Sequence, residues 1–345
     1  MSEAQQPTEQ SPLEILYAIA VGYMVSRSLH VAADLGIADL LSDGPKSIEE
    51  LASATGAHQQ SLYRVLRVLA GHGVFAEAPL GHFQLTPPAA LLQTEVPGSL
   101  RDIVRTAGDM AGDGTWWNLV GQLRRTVLTG EPEFERVYGI GFYEYLARNP
   151  AANVWWARGM LSQGATEDAA IVGCYNFGQF RRIVDVAGGR GGFLAEILKA
   201  HPTVRGVLYD HPEVVKEPTA LMAAGLMDRC EVVGGSFLES VPGGADAYLA
   251  KRILMDWDDE HVVALLRLCR EAMAAHGRVI TINVVMPPGN QPHPGKIIDL
   301  FLMVQLRGQE RTEHEFRELY RRAGLQLTRI VPTPSMLSLV EGERA

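Results

Sequence analysis

The stretch "VDVAGGRGGFLAEIL", residues 184–198, constrains what this chain can fold into more than any other. A short apolar run enters a cluster of glycines and leaves as a helix, which is the order strand, tight turn, helix. Small residues at Gly188, Gly189, Gly191 and Gly192 let the backbone approach a ligand, and the helix N-terminus sits beside it. The next strand, "VRGVLYD", ends in Asp210, 21 residues after Gly189. A carboxylate there can accept from both hydroxyls of a ribose. The turn lacks the G-x-G-x-x-G spacing of a pyrophosphate site and the Lys-Ser/Thr pair of a P-loop. An adenosine carrying a compact zwitterion fits it better than a dinucleotide, and S-adenosylmethionine is such a ligand.

The rest of the chain follows from that turn. Strands around Glu231–Val233, Ala247–Ala250 and Val279–Val284 alternate with helical stretches such as Asp258–Ala275. Alternation of this kind gives a parallel sheet with right-handed crossovers. The last segment, "LQLTRIVPTPSMLSLVEG", reads as two strands with a tight Pro-containing link, hence antiparallel. Residues 176–345 are therefore expected to be an α/β, Rossmann-like doubly wound sheet closed by an antiparallel pair.

Residues 1–100 read differently. Ser47 and Glu50 stand at capping-box spacing, Gly56 stops that helix, and Leu62, Val65, Leu66 and Leu69 line one face of the next. Two short strands around Pro79 and Gly81 complete a winged helix. Its second helix offers Arg64, Arg67, Gln59 and Gln60 but there is no basic wing. The chain's net charge of −9 also disfavours phosphate. Packing or dimerisation is the expected use, with no nucleic-acid partner. Between the two domains, residues 101–175 read as a helical linker that forms part of the substrate pocket. Trp116, Trp117, Phe142, Tyr143, Tyr145, Trp155 and Trp156 lie there, most of them core, with Trp156 a candidate pocket wall.

Other classes find little support. Cys174, Cys230 and Cys269 form no ligand-type pair, and no carboxylate cluster suggests a metal. The polar lead "MSEAQQPTEQSP" is expected to be disordered, and the apolar run Ile15–Val25 is short of the roughly 20 residues that span a bilayer. That run is expected to be buried, for example against a second subunit, in a soluble cytoplasmic protein without a membrane partner.

Four segments, "DVAGGRGGFLAEILKAHPTVRGVLYDHPEVV", "GGSFLESVPGGADAYLAKRILMDWDDEH", "PPGNQPHPGKIIDLFLM" and "RGQERTEHEFRELYRRAGL", resemble consecutive signatures of one family. It is the small-molecule O-methyltransferases that use S-adenosylmethionine, known from plant phenylpropanoid and bacterial polyketide pathways. The resemblance covers nearly the whole chain and implies an intertwined homodimer made through the N-terminal helices. It implies that Asp185, Gly189 and Gly191 line the cofactor's amino-acid end and that Asp210 takes the ribose. Ser236 and Phe237 match the adenine pair, and Lys251 a lysine near the carboxylate. Ala187 stands where the family usually has Gly, and Ser236 where it usually has Asp. The altered hydrogen bond is expected to weaken binding by about 1 kcal/mol without abolishing it.

The sharpest departure is Met255. The resemblance places there a histidine that deprotonates a phenol, oriented by two acids at the positions of Asn283 and Glu310. A thioether cannot take a proton. A phenol titrates near pH ~10, and general-base help contributes about 10²–10⁴-fold. The expected acceptor is therefore one that needs no such base: a carbon of an aromatic secondary metabolite, indole-like, or a nitrogen. Trp156, Met160 and Met303 fall where the family packs its acceptor ring, and cation–π contact could steady the sulfonium. Asn283 and Glu310 could bond an acceptor N–H, Glu310 could take its proton, and Asp256 is a candidate displaced base. His261 and His293 read as surface and loop residues. Three alternatives stay open. One is O-methylation of an acidic hydroxyl with Glu310, Asp256 or water as base. Another is a relative that keeps S-adenosylmethionine for pericyclic, hydroxylation or decarboxylation chemistry. The last is a metabolite-sensing winged-helix regulator.

Overall fold

The computed structural model describes residues 11–109 and 114–345, apart from the side chains of residues 161–163, 165 and 166. Most of the polar N-terminal lead lies outside the described residues. The chain divides into two units: 1–116 with 151–162, and 117–150 with 163–345. The segment 101–175, read from the sequence as one linker, is thus shared out between them. Its long helix, Pro150–Cys174, contributes to both.

In the first unit, Ser11 and Glu14 form a capping box that opens the helix Pro12–Asp34. Ser47 and Glu50 do the same for Ile48–Thr55, which Gly56 ends at φ +68°. Reciprocal capping satisfies two N–H groups that a helix start otherwise leaves open. The helix Gln59–Gly71 buries Leu62, Leu66 and Leu69 against Phe75 and Phe83. Those two rings belong to a hairpin of β2 (Phe75–Glu77) and β3 (His82–Leu85), joined by a third strand that the sequence did not signal, β1 (Lys46–Ser47).

The helix Pro12–Asp34 corrects the expectation for the apolar run within it. With 23 residues and a window of mean hydropathy 1.3, it is long and apolar enough to cross a membrane by length and composition. The cap at Ser11 starts the helix earlier than apolarity alone marks, and it runs on past Val25. Within the single chain Leu13, Leu16, Tyr17 and Ile19 are exposed rather than buried.

The second unit is built on one sheet, ordered β10-β11-β8-β7-β4-β5-β6. Its strands are β4 (Arg182–Val186), β5 (Arg205–Asp210), β6 (Cys230–Gly234), β7 (Ala247–Lys251), β8 (Arg278–Met286), β9 (Arg311–Thr312, beside β8), β10 (Leu325–Pro332) and β11 (Leu337–Arg344). The strands from β6 to β8 run parallel, and β10 and β11 close the sheet antiparallel, as the sequence led one to expect. Alternate residues feed two cores. Ile183, Leu208, Leu249, Ile280 and Ile282 serve one face; Val184, Val207, Tyr248 and Val279 serve the other.

The chain order fixes where a ligand binds. From β4 it steps outward to β5 and β6, then returns to place β7 on β4's other side. The strand order reverses between β4 and β7. Open α/β sheets bind ligands in the crevice at the carboxyl ends of such a pair.

Candidate active site

Beyond the end of β4 the backbone turns through Ala187 (φ +55°), Gly189 (φ +61°) and Gly191 (φ +83°) into the helix Gly192–Ala200. A Cβ on Gly188 would lie 2.6 Å from Asp185 Oδ2, and one on Gly191 would lie 2.7 Å from Leu221. At Gly189 a Cβ would meet nothing within 4 Å, so this residue's open side faces free space. Its N–H donates to Asp210 Oδ2 (2.9 Å), and the His211 N–H donates to Oδ1 (2.6 Å). Asp185 is buried, and its Oδ2 has no partner. Burial pushes the Asp185 carboxyl up to about 7, with the Lys251 charge opposing. An enclosed carboxylate with a free oxygen beside an open glycine turn suits a ligand cation. These residues fit the ammonium and ribose of S-adenosylmethionine.

At the end of β7, Lys251 and Arg252 meet two consecutive acids of the helix Pro150–Cys174, in crossed order. Lys251 donates to Asp168, and its ammonium stands 5.3 Å above the Phe193 ring. Arg252 grips Glu167 with both ends of its guanidinium, at 3.1 and 2.6 Å. Both acids are buried. Arg252 holds φ at +57°, a left-handed conformation that costs an L-residue about 1–2 kcal/mol.

Met255 lies on the turn Leu254–Asp256, which follows this pair after Ile253. The turn is fastened from the other side by Arg311, which is 1% exposed. Its guanidinium donates to the carbonyls of Leu254 (2.8 Å) and Trp257 (2.8 Å) and to Asp259 (2.8 Å). Gly308 packs so closely here that a Cβ would sit 1.9 Å from the Met255 carbonyl oxygen. Asn283 is buried on β8, one residue beyond Ile282, whose carbonyl accepts from the Arg252 N–H (2.9 Å). Both of its amide atoms are enclosed without a partner, and so is Glu310 Oε1. Burial pushes the Glu310 carboxyl up to about 7, against the pull of Arg252. Asp256 accepts from the Tyr143 hydroxyl (2.5 Å), and burial pushes its carboxyl up to about 6.

Comparison with known proteins decides the family. Residues 120–326 match an O-methyltransferase domain and residues 17–95 an O-methyltransferase dimerisation domain. The chain belongs to the O-methyltransferase family. A phenazine O-methyltransferase of Lysobacter antibioticus is 41% identical over 95% of this chain and 95% of its own. A phenazine-1-carboxylate N-methyltransferase of Pseudomonas aeruginosa is 34% identical over 96% of this chain and 97% of its own. The solved structure of CalO1, a methyltransferase in calicheamicin biosynthesis in its SAH-bound form, is 36% identical, covering 98% of this chain and all of that one. The two superpose with a TM-score of 0.87. This protein is thus a methyltransferase that uses S-adenosylmethionine, related to enzymes that methylate aromatic secondary metabolites.

Not every residue anticipated for the methyltransferase's site is brought together. Asp185, Gly189, Gly191, Asp210 and Lys251 gather at the switch point. Ser236 and Phe237 follow β6; the Ser236 hydroxyl accepts from the Leu238 N–H (3.3 Å), and Phe237 meets Trp257 edge-on at 5.8 Å. Met303 is half-buried on the helix Gly295–Gln305. Trp156 and Met160 belong to the first unit, where Trp156 packs 6.2 Å from Trp116 and Met160 is 40% exposed. Within the second unit, Phe134, Tyr138, Phe142 and Tyr145 form one packed aromatic cluster. Tyr143 beside it was read with them but turns its hydroxyl to Asp256. Sequence reasoning also missed Glu167 and Asp168. The one available signal was the dipeptide "ED" answering "KR", a match that chance supplies often.

Proposed function

We propose that this methyltransferase acts on an acidic hydroxyl of a polycyclic aromatic metabolite, one already close to ionisation at neutral pH. The observation that carries this reading is Met255 together with the unpartnered polar atoms of Asn283 and Glu310. At the position where the family resemblance implies a histidine there is an apolar side chain. The polar atoms that would orient an imidazole, both amide atoms of Asn283 and Oε1 of Glu310, are enclosed without partners. A site without a strong base suits a hydroxyl whose proton is easily lost, or an atom that attacks without losing one. Carboxyls raised to about 6 and about 7 at Asp256 and Glu310 shift the balance away from carbon, the atom expected from the sequence. A carbon sheds its proton only after the methyl arrives and can give it to water.

The chain's own residues do the rest by holding and orienting. Asp185 takes the cofactor's ammonium, Asp210 its ribose, Ser236 and Phe237 its adenine, while Lys251 holds its charge beside the carboxylate. Bound S-adenosylmethionine supplies an electrophilic methyl group on a sulfonium. Met303, half-buried on the helix Gly295–Gln305, packs the acceptor ring, and positioning of this kind can lower a barrier by several kcal/mol, up to about 7–11 in favourable intramolecular cases. A second reading, transfer to a ring nitrogen, is supported by the same Met255, since such a nitrogen needs no base. The exposed Leu16, Tyr17, Ile19 and Tyr23 of the helix Pro12–Asp34 face a second copy in a homodimer rather than a bilayer, and the enzyme is cytoplasmic.

The test uses methyl-labelled S-adenosylmethionine with 1-hydroxyphenazine, phenazine-1-carboxylate and indole, the product located by mass spectrometry and NMR. Label on the hydroxyl oxygen is the expected result. Label on indole carbon alone would overturn the reading.

A further inference from the structure

Tyr143 and Asp256 are 113 residues apart, yet the Tyr143 hydroxyl donates to Asp256 Oδ2 at 2.5 Å. Both lie in the second unit, Tyr143 on the helix Phe142–Arg148 and Asp256 on the turn that carries Met255. Tyr143 is 52% exposed, and Asp256 is half-buried. The pair therefore borders open space, whereas Glu310 Oε1 is closed off. Tyr143 also feels the charge of Asp210, the ribose-side carboxylate. It thus links the ribose-side carboxylate to the turn that carries Met255.

We propose that Asp256 is the catalytic base for the acceptor hydroxyl, and that Tyr143 is the positioning residue that holds the carboxylate ready. This rests on the reading of the acceptor as an acidic hydroxyl. In the step, the acceptor's O–H bond breaks and its electron pair forms the new O–CH3 bond. The S–CH3 bond of the co-substrate breaks with its electrons left on sulfur, and the proton passes to Asp256 and then to water. The pair has the qualities this needs. A base works best when it titrates near the operating pH, and Asp256, pushed up to about 6, remains largely ionised at pH 7. The charged groups around it are Arg252 at the end of β7, which favours the carboxylate, and Glu310 before β9, which interacts with it. Arg311 spends its guanidinium on backbone carbonyls of the same turn and on Asp259. Tyr143 itself is no base, since the enclosure of its hydroxyl, although the residue as a whole is half exposed, and the Asp256 charge hold it well above the usual phenol range.

The experiment measures kcat and KM against pH for the full-length enzyme, with methyl-labelled S-adenosylmethionine and 1-hydroxyphenazine as the probe. Asp256→Asn is expected to lower kcat by about 10²–10³-fold, with KM changed only a few-fold. Asp256→Glu, which keeps a carboxylate, should recover at least about a tenth of the wild-type kcat. Tyr143→Phe removes a hydrogen bond to the ionised form, so the acid limb of its pH profile should move to higher pH by roughly half a unit or more. An Asn variant within about three-fold of wild type, or a Phe variant whose profile overlays it, would sink the proposal. Equally inactive Asn and Glu variants that both bind S-adenosylhomocysteine normally would make Asp256 structural and also sink it. If the wild type labels nothing, the acceptor reading fails first and the pair goes with it.

Discussion

Arg252 reaches back 85 residues to Glu167 and closes on its carboxylate with two hydrogen bonds. Removing one partner of a buried pair leaves an uncompensated charge and costs about 3–5 kcal/mol. Glu167 is 7% exposed and Arg252 14%, so the penalty belongs near the lower end of that range. Glu167→Gln should lower Tm by several degrees, and Arg252→Met by at least as much. Calorimetry would settle it, and an unchanged Tm in both variants would mean the pair is solvated in solution.

Position 255 can be tested by restoring what the site lacks. The family resemblance implies that a histidine there is oriented from the positions of Asn283 and Glu310, whose polar atoms are enclosed without partners. Met255→His should raise kcat/KM on an ordinary phenol by about 10-fold or more, within the range of general-base catalysis. On an acidic hydroxyl it should change little. The gain should vanish when Glu310→Gln is added, and a Met255→His enzyme equally slow on phenol would show that the two partners do not serve an imidazole.

Ala187 adopts φ +55° where glycine would be at ease. Left-handed backbone costs alanine about 1–2 kcal/mol, while a glycine adds roughly 0.4–1 kcal/mol of unfolded-state entropy. Ala187→Gly should therefore match or slightly exceed the wild-type Tm. Ala187→Val should lose several degrees, because a branched side chain tolerates this region least. Thermal melts that rank Gly lowest would contradict this account.

Asp185 should make stability depend on pH. Its carboxyl is pushed from the usual 3.8 up to about 7, so the folded state holds a proton that the unfolded chain releases. The contribution is full below pH ~4 and is lost as pH rises through ~7. Between pH 5 and 8 the ligand-free enzyme should lose more Tm than Asp185→Asn does. S-adenosylhomocysteine, whose ammonium favours the carboxylate, should bind the wild type more tightly as pH rises across that window. Isothermal titration at several pH values checks the second point, and a flat affinity would remove Asp185 from the ammonium site.

Gly308 leaves no room for a side chain against the Met255 carbonyl. Gly308→Ala should displace the turn and lower kcat by about 10²-fold, since misplacement of about 1 Å can cost that much. Tm should fall less than a core substitution would demand. Wild-type turnover in this variant would show that the contact yields freely.

What could be read from the sequence was what neighbouring residues decide. The glycine turn, Asp210 at the next strand's end and the apolar runs of β7 and β8 all follow from spacing within about twenty residues, where sterics and periodicity act directly. The crossed pairs of Glu167 and Asp168, and the bond from Tyr143, join residues 83 to 113 apart. Such contacts depend on how helices cross the sheet, and no local pattern encodes that. The aromatic density before β4 shows the same limit. Its composition pointed mostly to core, and Phe142 and Tyr145 pack into one cluster with Phe134, but nothing in it marked Tyr143 as the residue whose hydroxyl reaches the turn of Met255.

Arg311 has a wider consequence. Arg311 holds the turn of residues 254–257 through two backbone carbonyls, groups that every residue type carries. That hold does not depend on which side chain occupies position 255. A lineage could exchange an acid–base group for a thioether there, or reverse the exchange, without rebuilding the socket around it. New acceptors then lie one codon away, and the scaffold need not change to reach them.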